Sequence, residues 1–419
     1  MEVSHRQTNI TTTKYLNDPE TILSTNSDFK IGFFSPGNST NRYVGIWYNI
    51  EDSDTLEVVW VANRNNPIKD SSGVLKISED GNLQLIDGKN MVIWSSNVSN
   101  QANSSVAQLQ GTGNLVLFSG GVITWQSFEH LSNSLLPEVT ISIDKDNGYG
   151  KSMLRSWKSK SDPSDGRFST GISFLNLPEF VTWDGERPFW RSGPWNGNAF
   201  LGVPRWSSRA AMGFRVVNND NKETPTILFS AENEPVLKYF VLNYDGYVIG
   251  KRWTNDGSKK WEIMWQSFES ECDFYGKCGR FGSCNSKDSP VCRCLKGFEP
   301  KNLAEWSSSN WTSGCVRRTP LQCEDKEGKV DGFRMLMHMK VPDYSVFSYA
   351  DDQDDCKKMC LRNCSCLAYA YPKGIGCMMW NRSLIDLQQF STDGADLFIR
   401  LAHSELGDQM FNRSFFSFF

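Results

Sequence analysis

The chain has 419 residues, with 44 Lys and Arg against 48 Asp and Glu, for a formal net charge of -4. It offers no basic field for nucleic acid, and no run of eighteen apolar residues predicts a membrane span. A mean hydropathy of -0.45 beside 15 Trp, 12 Tyr and 26 Phe assigns the aromatics to short packed strands or a binding surface rather than to one large greasy core.

The first stretch, MEVSHRQTNITTT, has no apolar h-region, so a signal peptide is not visible, and the chain reads either as starting downstream of the true start or as an incomplete gene product. From Asn17 to Asn133 short apolar runs such as FKIGFF, YVGIWY, VVWVAN, NLQLI, MVIW, NLVLF and VITW alternate with Gly, Asn, Asp and Pro, the pattern of an all-β domain with tight turns. DGNLQLIDGKNMVIWSS is echoed by TGNLVLFSGGVITWQS, and Trp60, Trp94 and Trp125 fall at intervals of 34 and 31. Units of this size cannot bury their own apolar face, so three of them sharing a core predict a pseudo-threefold prism of small sheets.

The stretch from Ser134 to Phe268 again carries short aromatic strands (FVTW, YFVLNY, YVIGKRW) and ends on a second WQSF, Trp265 to Phe268, matching Trp125 to Phe128. This predicts a duplicated domain, with SKSDPSDG between the two as a linker or long turn.

All 12 cysteines lie between Cys272 and Cys377. An even, dense set among polar loops reads as a disulfide framework formed in an oxidising compartment. The first six are separated by five, five, seven, one and twenty residues, which suits zinc poorly, since zinc prefers pairs two to four apart. Spacing alone leaves about fifteen pairings open for six cysteines. DDCKKMCLRNCSC reads as a helix followed by strands, with Cys356 and Cys360 on one face. Eight Asn-x-Ser/Thr triplets, at Asn9, Asn38, Asn97, Asn103, Asn310, Asn363, Asn381 and Asn412, are glycosylation candidates that agree with the secretory pathway. Asn363, inside the cysteine cluster, is expected to be the least accessible.

Catalysis has no visible apparatus. His5, His130, His338 and His403 stand outside any nucleophile or metal pattern, and no Gly-x-Ser-x-Gly, P-loop, VAIK, HRD or DFG occurs. No cofactor and no metal are expected.

The motifs GFFSPGNSTNRYVGIWY, VVWVANRNNPI, SWKSKSDPSDGRFS, WRSGPWNG, CDFYGKCG, CRCLKGFEP and WTSGCVRR, spread over about residues 15 to 403, resemble the extracellular region of the plant S-domain family, the S-locus glycoproteins and G-type lectin S-receptor-like kinases. The resemblance implies an all-β chain of two tandem bulb-lectin-like β-prism domains followed by small disulfide-rich EGF-like and PAN/apple modules. The corresponding boundaries are 1–133, 134–268, 269–316 and 323–403, with a tail over 404–419.

It also implies the disulfides Cys272–Cys284, Cys278–Cys292 and Cys294–Cys315 in the EGF-like module, and Cys356–Cys377 and Cys360–Cys366 in the PAN/apple module, which leaves Cys323 to Cys364. Glu269 and Glu271 do not complete the calcium signature of EGF modules, so no metal is expected there. Localisation is expected to be secreted or on the extracellular face of the plasma membrane.

Bulb lectins hold mannose with Gln-x-Asp-x-Asn-x-Val-x-Tyr, whose alternate residues share one face of a strand. One copy here reads Ser78, Asp80, Asn82, Gln84, Ile86, and the other reads Gln110, Thr112, Asn114, Val116, Phe118. The degenerate site is therefore Gln110, Asn114, Val116 and Phe118, without the carboxylate whose hydrogen bond is worth about 1.5–3 kcal/mol. In the opposing reading Asn82 and Asn114 serve strand turns and Val116 is core. The family's variable ligand-contacting surface lies on its second lectin domain and near the EGF-like module. Carried onto this chain it falls on Phe200 to Met212, with Phe200, Leu201, Val203 and Trp206 as contact candidates if exposed, or as strand core if buried. The partners implied are an extracellular peptide or glycan ligand and, for assembly, a homodimer or a partner receptor kinase. The reading is a non-catalytic recognition ectodomain, with a secreted mannose-binding lectin and a truncated receptor kinase, its membrane span and kinase domain missing, as the alternatives.

Overall fold

The computed structural model describes residues 9–50, 56–99, 104–142, 153–173, 177–203, 213–217, 226–230, 236–254, 259–322 and 331–406. The chain falls into two compact units. One comprises 1–171, 182–187 and 213–267, and the other 172–181, 188–212 and 268–419.

The first unit opens with three sheets of the same design. Each is a meander of three strands: Phe29–Phe34, Tyr43–Tyr48 and Val58–Val61; then Val74–Ile77, Leu83–Ile86 and Val92–Ser95; then Ser105–Leu109, Leu115–Ser119 and Val122–Gln126. The fourth strand of every sheet comes from the N-terminal stretch, in reverse order. Thr21–Leu23 joins the first meander, Leu16–Asn17 the second and Asn9–Ile10 the third. One short segment thus stitches all three sheets together.

The last strand of each meander delivers a tryptophan to the shared centre. Trp60, Trp94 and Trp125 pair with Ile46, Leu85 and Leu117, and in every case the register shifts at that residue. A bulge at that position turns the strand and re-aims its side chain. The three indoles meet edge to face with centroids 5.8, 5.9 and 5.6 Å apart, an arrangement aromatic quadrupoles favour over a flat stack. Trp60 Nε1 donates to the His130 carbonyl at 2.8 Å. The predicted pseudo-threefold prism is the observed architecture.

A second recurrent device closes each meander. The Ser96 hydroxyl accepts the Leu83 amide at 3.1 Å and the Ser127 hydroxyl accepts that of Leu115 at 2.9 Å, while in the first meander the Asn63 side-chain oxygen accepts the Val44 amide at 2.8 Å. Beyond residue 133 the device returns, with Ser267 accepting the Val248 amide at 3.0 Å and Trp265 again beside a register shift. The repeated WQSF is therefore a physical unit: the tryptophan enters the core, and the serine two residues on clasps the neighbouring strand. A matching turn precedes the clasped strand, at Gly81, Gly113 and Gly246, each in the left-handed region that glycine adopts without Cβ strain.

The remaining strands of this region form a sheet of Ser134–Leu135, Lys238–Leu242, Val248–Thr254 and Lys260–Gln266, a three-stranded sheet of Thr140–Ser142, Thr226–Phe229 and Phe214–Val217, and a meander over Leu154–Arg191. The SKSDPSDG segment is not a linker. It makes the turn of a hairpin between Leu154–Ser159 and Asp162–Ser173, with Asp162 accepting the Ser164 amide at 3.0 Å, the local bond by which Asp competes for turns.

In the second unit the EGF-like and PAN/apple segments are continuous. Gly282–Cys284 pairs in parallel with Leu387–Gln389, which puts both in one eight-stranded sheet. The helix Gln353–Arg362, capped at its start by Asp352 accepting the Asp355 amide at 2.8 Å, turns Cys356 and Cys360 inward. Arg400, buried, donates to the Cys360 carbonyl at the end of this helix and to Asp331. Among the described residues no helix is long and apolar enough to cross a membrane.

Replacing Trp125 by Ala opens a void among three shared sheets. The expected cost is about 3–5 kcal/mol, read as a lower urea midpoint together with loss of the near-ultraviolet circular dichroism of the coupled indoles.

Candidate functional site

Three places have the residues to act on a ligand: the lectin strands, the segment after WRSGPWNG, and the joint between Arg191 and the C-terminal sheet.

On the lectin strands the polar residues are occupied by the fold. The Asn114 side-chain oxygen accepts the Phe128 amide and the Ser127 hydroxyl, both at 3.2 Å, and its Nδ2 donates to Gln126 at 2.8 Å. Asn82 repeats the pattern, accepting from Val98 at 2.7 Å and Ser96 at 3.0 Å and donating to the Val98 carbonyl at 3.2 Å. Both side chains are buried, as is Val116, whereas Gln110 and Phe118 are only half-buried. Asp80 accepts from the Ser78 hydroxyl and the Asn82 amide within its own turn, and the Ser78 bond chiefly holds its carboxyl below the usual range. The clasp places Tyr43 and Tyr247 where these asparagines stand. The set Gln110, Asn114, Val116, Phe118 is thus corrected as a sugar contact set: Asn114 is an internal clasp and Val116 belongs to the core, so neither is presented to a ligand.

The contact candidates after WRSGPWNG need a similar correction. The Phe200 ring packs on Phe180 at 5.3 Å and Trp195 at 4.9 Å. Leu201 lies in the core that also holds Val341 and Trp380, and Val203 is buried too. An anchor for a partner must reach solvent, and these do not; Trp206 lies outside the described residues.

The cysteines come together as pairs. Cys272–Cys284, Cys278–Cys292, Cys294–Cys315, Cys356–Cys377 and Cys360–Cys366 are bonded with Cα separations of 5.5, 5.4, 5.7, 5.5 and 5.3 Å. Cys323 lies outside the described residues, and Cys364 is disulfide-bonded. Cys278, Cys284 and Cys292 bring their sulfurs within 4.8 Å of one another, but as disulfides they are not the thiolates a metal requires. Of the sequons, Asn38, Asn97, Asn310, Asn363 and Asn381 are exposed and Asn9 is half-buried; Asn103 and Asn412 lie outside the described residues. Asn363 is more open than expected, because its Oδ1 folds back on Ser365 in a turn at the end of the helix.

The third place was not legible in the sequence. Arg191, the second residue of WRSGPWNG, is 2% exposed. Its Nε donates to Asp386 at 3.0 Å, Nη1 to Glu179 at 2.9 Å and Nη2 to the Val341 carbonyl at 2.6 Å. Lys340, 1% exposed, reaches the same Asp386 oxygen at 2.8 Å. The Gly276 amide donates to the other Asp386 oxygen at 3.1 Å, and the Tyr275 hydroxyl donates to Asp343 at 2.7 Å.

Gly202 makes room for this arrangement: a Cβ there would come within 2.6 Å of the Ser192 carbonyl and 2.9 Å of the Lys340 stem. Burial, the largest influence on the Glu179 carboxyl, raises it to about 7, with Arg191 opposing and Asp343 reinforcing the rise. Burial alone would raise Asp386 too, but Lys340 and Arg191 overcome it and hold that carboxyl down.

Removing one partner of a buried set strands the others. Asp386→Ala leaves Arg191 and Lys340 without their shared carboxylate, and about 3–5 kcal/mol of the second unit's stability is expected to go, measured as a fall in its denaturant midpoint with the disulfides intact.

Comparison with known proteins finds three family models along the chain. A D-mannose binding lectin model matches residues 57–158, an S-locus glycoprotein domain model 190–302 and a PAN-like domain model 323–387. Two G-type lectin S-receptor-like serine/threonine-protein kinases of Arabidopsis thaliana are 44% identical over 400 and 410 residues, covering 93% and 94% of this chain and 48% of their own length. The chain thus spans about half the length of these relatives. Among solved structures, the mannose-specific agglutinin of snowdrop (Galanthus nivalis) bulbs is 20% identical over 27% of this chain and 90% of its own, at a TM-score of 0.22.

Proposed function

Since this chain is a member of the plant S-domain family, with the bulb-lectin, S-locus glycoprotein and PAN domains of that family's receptor ectodomains, we propose that it is a non-catalytic recognition module acting outside the cell. The ligand is a peptide or glycan met there, and recognition of pollen is the most specific form of this reading. The observation that carries it is the state of the lectin strands. Asn82 and Asn114 spend their hydrogen bonds on Val98, Ser96, Phe128 and Gln126, so the prism acts as scaffold, and a mannose site of the bulb-lectin kind is left without its polar contacts.

The matched half of the relatives supports a receptor setting, in which a membrane span and kinase belong to the longer protein and assembly is with itself or with a partner receptor kinase. The exposed sequons and the paired cysteines support passage through the secretory pathway.

Two measurements test the reading. The protein secreted from a host with an added signal peptide should show little binding on a glycan array, and Asn114→Ala should lower its stability rather than remove a sugar signal. Mannoside binding by the parent that Asn114→Ala abolishes, in a variant still folded, would return the chain to the secreted-lectin alternative. The same sample should lose mass on enzymatic removal of N-glycans, with occupancy mapped to Asn38, Asn97, Asn310, Asn363 and Asn381; bare asparagines at all five would count against the secretory setting.

A further inference from the structure

The Arg191 joint has more negative than positive groups, with Arg191, Lys340 and Asp386 buried and Glu179 and Asp343 partly buried. The cations are Arg191 and Lys340. Facing them are Asp386, beside the strand Leu387–Gln389; Asp343, which follows the strand Gly332–Lys340; and Glu179, at the head of the strand Glu179–Asp184. The EGF-like segment adds only the neutral Tyr275 hydroxyl and the Gly276 amide. With Glu179 protonated, two cations meet two carboxylates; with Glu179 ionised, one negative charge is left over where burial limits its hydration, which is costly. Glu179 also has the weaker hold: it shares only Arg191 by hydrogen bond, whereas Asp386 takes Arg191, Lys340 and a backbone amide.

We propose that this joint is a proton-operated latch: a proton on Glu179 balances its charges and keeps Glu179 and Arg191 seated on the C-terminal sheet, and loss of that proton loosens them. The groups that would part lie in the second unit and include Gly202, which is fitted against the Lys340 stem. Leu201 packs in the same core as Val341 and Trp380, so loosening would expose what the closed form buries.

The sign follows from linkage. The folded Glu179 carboxyl lies near 7, above its ordinary value of 4.5, so the closed form binds a proton that the open form does not. Closure is fully favoured below the ordinary value and is lost as pH rises towards 7, where the dependence levels off.

The test is hydrogen exchange by mass spectrometry on the full chain with its disulfides intact, from pH 5 to 8, corrected for intrinsic exchange. Peptides covering residues 179–181 and 188–203 should show an opening constant that rises about tenfold per pH unit between pH 5 and 7 and then flattens. In Glu179→Gln that slope should vanish, with the opening constant at pH 8 close to the parent's value at pH 5. A level profile in the parent, or an unchanged slope in Glu179→Gln, overturns the latch, and the parent profile decides the matter should the variant fail to fold.

Discussion

No meander of four- to six-residue strands can exclude water from its own face, and the meeting of Trp60, Trp94 and Trp125 is what gives three of them a common interior. The rest of the first prism follows from that requirement. A bulge must fall where each tryptophan enters, so that the strand bends towards the axis. The chain must then be fastened immediately beyond, which is the work of Ser96, Ser127 and Asn63 on the amides of Leu83, Leu115 and Val44. Asn82 and Asn114 complete the fastening from the opposite strand. Residues that look like the remnants of a sugar site are held in place by the geometry of the core.

Much of this was legible in the sequence because it repeats. The spacing of the tryptophans, the paired DGNLQLI and TGNLVLF runs and the doubled WQSF all report local units, and local units leave local marks. The disulfide framework was visible for the same reason, since its cysteines crowd into one stretch. The functional assignment of Asn114 was harder, because the same Asn at the same strand position either greets a sugar or clasps a neighbour, and only the partners at Gln126, Ser127 and Phe128 decide between them. Phe200 and Leu201 posed a comparable choice between exposed anchor and core, which burial resolves.

The Arg191 joint left no mark of this kind. An arginine between a tryptophan and a serine looks like a solvated residue on a strand, and its partner Asp386 is 195 residues away. Buried ionic groups cost desolvation that their mutual attraction only partly offsets, so their worth lies in orientation more than in stability. Here a forked guanidinium with three different acceptors fixes direction as well as distance. The continuous sheet across Ser283 and Leu387 adds a second constraint on the same unit. Within the second unit, the strand that carries Arg191, the EGF-like segment and the PAN/apple segment are therefore mutually oriented.

The N-terminal stretch that stitches the prism has a further effect on how the molecule is made. Asn9 finds its partner at Gln108, Leu16 at Leu75 and Thr21 at Gly32, so the first of these strands closes over the longest loop and the last over the shortest. Until the third meander has formed, Asn9–Ile10 is left with open backbone donors and acceptors, the kind of edge that pairs with whatever is nearest. Such long-range closure is slow, so the sheet closed by Asn9–Ile10 is completed later than the sheet closed by Thr21–Leu23.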